Sequence, residues 1–333
     1  MKLGIILMLG VLLLAITMTG CSKDTTDGLN ATGDRIDDVD LVVTSIQFNG
    51  VLYPMKNDKV TSPEGINIDL KETDYNQGEL YTLASKKPTI GVLSNINVGK
   101  AYLQGEEFKV LTPYYREILG PDNKTMGQVV ILKNNDITNP KQLEGKTVGI
   151  QGLADGSTIA FMTVLRQVYQ VDLDKVNFEV VDSNMAPILL EEGKLDASMF
   201  DSDYILTEDF DTKYKTLVDF NKQMYYWYGT VPPASFFVVK KEFYDSDPRT
   251  FNKIIDYFTE AYSWYKDNAE EVSRMESEQS GTSYELTLLK SQYEERAGHV
   301  TGRDIAAYHD FYETAVMRGV IDEVPDLNKI FIR

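Results

Sequence analysis

The residues that offer most to a ligand stand at 145–161, GKTVGIQGLADGSTIAF, where an apolar strand pattern runs into a glycine-rich turn and then a helix pattern. The first N–H groups of a helix lack intrahelical partners and carry partial positive charge, so such a turn can receive phosphate, sulfonate or carboxylate. Gly156, Ser157 and Thr158 supply amides and two hydroxyls for that purpose. A simpler use is open to the same residues: Asp155 or Ser157 caps the helix, a contribution of about 1 kcal/mol to any helix. Gly149, Gly152 and Gly156 lack the G-x-G-x-x-G spacing of a dinucleotide site, and no Gly-Lys-Ser/Thr follows to complete a P-loop. Asp155 beside the turn, and a net charge of −18, both oppose an anion.

Other groups suggest different chemistry. Asp201 can bind an amine, which would make a taurine-like zwitterion compatible with both sites; Asp201 and Asp203 are equally turn and cap residues. A calcium loop is excluded, since Leu206 stands where its sharp turn needs Gly. In QMYYWYGTVPP, residues 223–233, the rings of Tyr225, Tyr226, Trp227 and Tyr228 can stack on a flat ligand or surround a quaternary ammonium. Strand alternation would instead turn two of the four into the core, and Tyr114 and Tyr115 admit the same two uses. Catalytic constellations are missing: His299 and His309, placed in carboxyl-terminal helices, are the two histidines, and no His-x-x-x-His spacing for zinc exists. Ser157 lacks a base to activate it, so no enzyme, metal or cofactor is expected.

The chain that positions these residues has 333 of them, enough for about two domains. Its 33 basic and 51 acidic residues argue against nucleic acid as a partner. Residues 1–21 differ from the rest: Lys2 is the only charge, an apolar run extends from Leu3 to Ile16, and Met18-Thr19-Gly20-Cys21 follows. The run is short for a span of about 20 residues and reads as an export signal. Its end resembles a lipobox, with Met18 where leucine is more usual, so Cys21 is expected to be acylated. Cys21 is the only cysteine, leaving the exported body without disulfides. Residues 22–39, polar and rich in Asp, Thr and Gly, read as a flexible tether.

From Leu41 apolar runs alternate with amphipathic stretches, the pattern of an α/β fold. Strands are expected at 41–47, 66–70, 89–93, 108–112, 127–132, 147–150, 178–181, 196–200, 215–219 and 235–240. Helices are expected at 75–86, 95–104, 157–170, 185–192, 249–268, 284–294 and 303–318. LASKKPTIGVL and LEEGKLDASMF share a helix end, a lysine-bearing turn and an apolar strand, which suggests two similar α/β lobes. Ligands in open α/β sheets bind beyond the carboxyl ends of the strands. That rule selects Gln47, Asn49, Ser94, Asn95, Thr112, Tyr114, Gly156, Ser157, Thr158 and Asp201, with Trp227 and Tyr228 from the aromatic run.

TLASKKPTIGVLSNINVGKAYLQGEEFKVL, VVILKNNDITNPKQLEGKTVGIQGLADGSTIAFMTVLRQ, MAPILLEEGKLDASMFDSDYI and SFFVVKKEFYDSDPRTFNKIIDYFTEAYSWYKDN occur in the order found in ABC importer solute-binding proteins. Across most of residues 80–270 the chain resembles the sulfonate, nitrate, taurine and thiamine-precursor branch of the type II periplasmic binding fold. VTSIQFNGVLYPMKNDKVTSPEGINIDL departs from that pattern, because Asn49-Gly50 signals a hairpin while Pro54 and Pro63 shorten any helix. The resemblance implies a bilobed α/β molecule, with lobe 1 at 40–133 plus 235–333 and lobe 2 at 134–234. It implies closure on a ligand about crossings at 133–139 and 230–235, and an oxyanion of that ligand against the helix start at Ser157 and Thr158. It implies a monomeric extracytoplasmic receptor, held at the membrane through Cys21, that delivers a small polar solute to permease subunits. A same-fold lipoprotein that senses or presents a ligand without transport is the alternative, and sulfonate, zwitterion, nitrogenous heterocycle and quaternary amine all stay open as ligands.

Overall fold

The computed structural model describes residues 35–44, 52–73, 75–207, 209–296 and 298–332. The expected signal, Cys21 and most of the tether lie outside the described residues, as do Gln47 and Asn49. In chain order the described strands are β1 (Asp38–Thr44), β2 (Asn67–Thr73), β3 (Thr89–Ser94), β4 (Phe108–Glu117), β5 (Gln128–Leu132), β6 (Thr147–Ile150), β7 (Asn177–Val180), β8 (Ala197–Met199), β9 (Tyr214–Asp219), β10 (Ser235–Lys240) and β11 (Glu294–Glu295). The longer helices are α1 (Tyr75–Ala84), α2 (Asn95–Leu103), α3 (Gly156–Gln167), α4 (Phe220–Tyr228), α5 (Pro248–Asp267), α6 (Ala269–Ser280) and α7 (Gly302–Met317).

Two sheets form. One has the order β11-β4-β10-β3-β1-β2 and the other β7-β6-β8-β5-β9. In each, one inner strand runs against its neighbours: β10 is antiparallel to β3 and β4, and β5 is antiparallel to β8 and β9. Both faces of the sheets are covered, which is why β3 is buried at every position except its last and reads as a continuous apolar run. Side chains of α5, among them Phe251 and Phe258, fill one face of the first sheet. On the other side, Phe161 of α3 and Tyr308, Phe311 and Tyr312 of α7 join a core shared by both sheets.

Two expectations need correction. Residues 128–132, expected in the first lobe, pair with β8 and β9, so the forward crossing is made by 118–127 rather than 133–139. The physical cause is a turn at Gly120–Asn123, closed by the Asn123 N–H on the Gly120 carbonyl at 2.9 Å, which ends β4. Residues 133–135 then stay with the second sheet, where Lys133 N–H donates to the Lys213 carbonyl at 2.8 Å. Second, the aromatic run is helical. Asp219 accepts the Lys222 N–H to cap α4, and Gly229, at φ 74°, ends it in the left-handed conformation that side chains disfavour. The return to the first sheet spans 229–234.

Candidate functional site

The carboxyl ends of β3 and β4 from one sheet and of β6, β8 and β9 from the other meet at a cleft of about 240 Å³, which continues into a hollow of about 140 Å³. Tyr115, Glu117, Ser157 and Phe220 line both. This is where ligands of open α/β sheets are held.

On the first-sheet side, β3 ends in Ser94, whose hydroxyl oxygen accepts the Asn97 N–H at 3.3 Å and caps α2. Asn95 donates its N–H to the Ala234 carbonyl at 2.9 Å, and its side-chain oxygen accepts the Ile96 N–H at 2.7 Å. On the opposite side Asp155 caps α3 by accepting the Thr158 N–H at 2.9 Å. The Gly156 and Ser157 amides have no protein partner among the described residues. A Cβ on Gly156 would lie 2.2 Å from Asn95 Oδ1, so only glycine lets the two helix starts approach this closely.

Of the expected site residues, Ser94, Asn95, Gly156 and Ser157 line the cleft and Asp201 lines its extension. Thr158 does not: it is fully buried, with its amide on Asp155 and its hydroxyl 3.6 Å from the Met199 sulfur. Thr112 is buried and donates to the Gly298 carbonyl at 2.6 Å. Tyr114 packs edge-on against Phe237, and its hydroxyl accepts from Arg296 at 2.8 Å. Trp227 is 57% exposed on α4, away from the cleft, because a helix of this register buries Phe220 and Met224 instead. Tyr228 joins α4 to α7, its hydroxyl donating to Asp310 at 2.5 Å.

Several lining residues were not selected from the sequence: Glu117, Phe220, Asn221, Ser235 and Phe311, with Tyr115 considered but left out. Glu117 is the most informative. Its Oε2 accepts from the Met126 and Gly127 amides at 3.1 and 3.0 Å and from Asn221 Nδ2 at 2.8 Å, while its Oε1 has no partner among the described residues. Burial pushes its carboxyl up to about 7, with Asp219 adding to the rise and the three donors holding it back. Beside it, burial also pushes the Tyr115 hydroxyl well above the ordinary tyrosine range. The Arg296 guanidinium lies 5.5 and 5.8 Å from the Tyr114 and Tyr115 rings and pairs with Glu294 at 3.0 Å, which fixes the end of β4.

No Lys, Arg or His lines either hollow among the described residues. Elsewhere, His309, Asp310 and Glu313 bring ligand-type atoms within 4.8 Å of one another on α7. Asp310 already accepts a hydrogen bond from the Tyr228 hydroxyl and Glu313 pairs with Arg166 at 3.1 Å, so two of the three are engaged within the protein. His299 lies in the exposed loop before α7 rather than in a helix. No helix among the described residues is long and apolar enough to cross a membrane.

Solved structures share this architecture at low sequence identity. The periplasmic aliphatic sulphonate binding protein SsuA from Escherichia coli superposes with a TM-score of 0.68 and 13% identity, covering 89% of this chain and 92% of its own. The alkanesulfonate-binding protein SsuA from Xanthomonas axonopodis pv. citri, bound to MOPS, gives 0.61 and 10%, covering 89% and 98%. A Candida albicans gene product described as having the generic periplasmic binding protein fold gives 0.59 and 14%, covering 89% and 96%. The fold is therefore the bilobed α/β fold of periplasmic binding proteins. No curated protein matches the chain. A family profile described as NMT1/THI5 like matches residues 62–272, well over half of the sequence, and the chain belongs to the NMT1/THI5-like family.

Proposed function

We propose that the chain is an extracytoplasmic solute-binding receptor, anchored through acylated Cys21, that captures a small polar solute in the cleft and delivers it to an ABC importer. The observation that carries this reading is the approach of α2 and α3 across the cleft at Asn95 and Gly156, with unengaged polar groups around it. A cleft bordered by two sheets and spanned by only two crossings, 118–127 and 229–234, suits hinge closure, in which the ligand favours the closed state by contacts the open state lacks. The named sulfonate-binding neighbours support a transport role. A volume of about 240 Å³ suits a ligand below drug size. Catalysis has no support: no histidine or cysteine lines the cleft among the described residues, and Glu117 has no nucleophile hydrogen-bonded to it.

Purification of the tagged full-length protein from its native membrane tests the reading. Permease and ATPase subunits are expected to copurify, and Cys21→Ser should release the protein from the membrane fraction. Recovery of a ligand-loaded, acylated protein without transporter subunits would replace import by ligand sensing or presentation.

A further inference from the structure

We propose that the cleft selects a small cation carrying N–H donors, an amidinium or a primary ammonium, which Glu117 reads through its open oxygen. The inference rests on the receptor reading above and narrows its ligand.

Charge comes first. Glu117, Asp155 and Asp201 line the two hollows, and no cationic side chain balances them among the described residues. The helix starts do not reverse this sign. In α2 the amides of Asn95, Ile96 and Asn97 are all taken by protein acceptors. In α4, Phe220 N–H donates to the Gly127 carbonyl at 2.9 Å, and the Asp219 carboxylate takes the Lys222 amide at 3.0 Å. Among the described residues, amides stay open at Gly156 and Ser157 of α3 and at Asn221 of α4, and each of these two helices is capped by a carboxylate, Asp155 and Asp219. Carboxylates at two of three helix starts cancel the partial positive charge an anion would seek. The −18 net charge steers cations toward the protein and anions away.

Hydrogen bonding points the same way. Three donors saturate Glu117 Oε2, which leaves Oε1 as an acceptor without a partner among the described residues. Asn221 turns one N–H of its side-chain amide to Glu117, and its side-chain oxygen has no partner among the described residues. Asp201 accepts from Gln151 on Oδ1 at 2.6 Å, and its Oδ2 has no partner among the described residues. A row of acceptors calls for donors, and a quaternary ammonium has none. Phe220 and Tyr115 border the same space with flat faces that suit a planar amidinium.

Thermal denaturation of the full-length protein in detergent, with benzamidine and agmatine as probes, tests this. Tetramethylammonium serves as a cation without N–H groups and butanesulfonate as the anion. At saturation benzamidine or agmatine should raise the melting temperature by about 3 °C or more, and the two controls should not. In Glu117→Gln the side-chain oxygen takes the three protein donors and an NH₂ faces the cleft, so the shift should vanish while the fold persists. Asp201→Asn, nearer the rim, should weaken binding by about threefold. The charged and titratable groups facing Glu117 are Tyr115 on its own strand, Asp219 at the end of β9, and Asp155 and Asp201 across the cleft; with these, cation affinity should rise from pH 6 to pH 8. Stabilisation by butanesulfonate, an unchanged shift in Glu117→Gln, or silence from both nitrogen probes would overturn the proposal. Copurification with transporter subunits is independent of all three, so the receptor reading stands or falls separately.

Discussion

The starts of α2 and α3 follow equivalent strands and face each other across the cleft, yet their backbone groups have different fates. At α2 every early amide is spent within the protein: Asn95 on Ala234, Ile96 on the Asn95 side chain, Asn97 on Ser94. At α3 the cap takes the third amide and leaves those of Gly156 and Ser157 to the cleft. The difference has two sources: residues 230–235 run beside α2 and bring the Ala234 carbonyl to its first amide, and the Asn95 side chain takes the second, a role that Gly156 at the same place in α3 cannot fill. One helix start has become a structural wall and the other keeps two amides open at the cleft, although both carry the same kinds of residue.

The largest effect should follow from removing what stands behind the α2 wall. Asp304 of α7 is fully buried, pairs with Arg116 at 3.0 Å, accepts from Thr230 at 2.8 Å, and closes the capping box of its own helix on Thr301. Through α7 it also places Tyr312, whose hydroxyl donates to the Asn95 carbonyl at 2.5 Å. Asp304→Ala leaves the buried Arg116 only the longer pairing with the half-exposed Glu295 at 3.8 Å and should cost about 3 kcal/mol, measured as lost unfolding free energy in urea.

Next in size is a pH effect, and it marks where the first wall is not self-sufficient. Burial raises both Glu117 and Glu276 from 4.5 to about 7. Between those values the folded protein holds protons that the unfolded chain has released, so stability falls as pH rises and levels off above about 7. Each group should contribute ~1–3 kcal/mol to that fall. Melting curves from pH 5 to 8 should show the decline, and Glu117→Gln should flatten its share. A slope unchanged in that variant would place the titration elsewhere.

Smaller, but aimed at the gap itself, is Gly156→Ala. The added methyl meets Asn95 Oδ1, and that oxygen can retreat only by giving up the Ile96 amide. The cost should be about 1–2 kcal/mol, with the two helix starts pushed apart and scattering showing a larger radius of gyration under saturating ligand.

The comparison also shows what was legible in the sequence. Strands such as TIGVLS and SFFVVK are apolar enough to read directly, and α5 begins at Pro248 behind an Asp247 cap, one residue from the expected start. The run Phe220–Tyr228 misleads because Tyr and Trp favour strands, while the helix signals stand at its edges, in Asp219, Gly229 and the prolines beyond. Helix α6 has the opposite problem: it is polar almost throughout and buries only Val272 and Ser273, so no apolar stripe announces it. Gly156 and Ser157 could be found because a glycine-rich turn before a helix is a local pattern. Glu117 could not, since its place in the cleft wall is fixed only when the crossing at 118–127 folds back and offers the Met126 and Gly127 amides to it.

The finest test sets two serines against each other. Ser94 and Ser157 both lie at a helix start and both line the cleft, but only Ser94 accepts an amide of its own helix. Ser94→Ala removes that cap and should lower stability by about 1 kcal/mol while leaving ligand affinity nearly unchanged. Ser157→Ala removes no hydrogen bond seen within the protein, so its melting temperature without ligand should stay put, and the loss should appear in binding alone. Measuring both quantities on both variants gives a crossed pattern if the two helix starts divide the work as described. If Ser157→Ala costs stability and spares binding, α3 is as self-contained as α2, and the ligand must be held from Glu117, Asn221 and Asp201 without it.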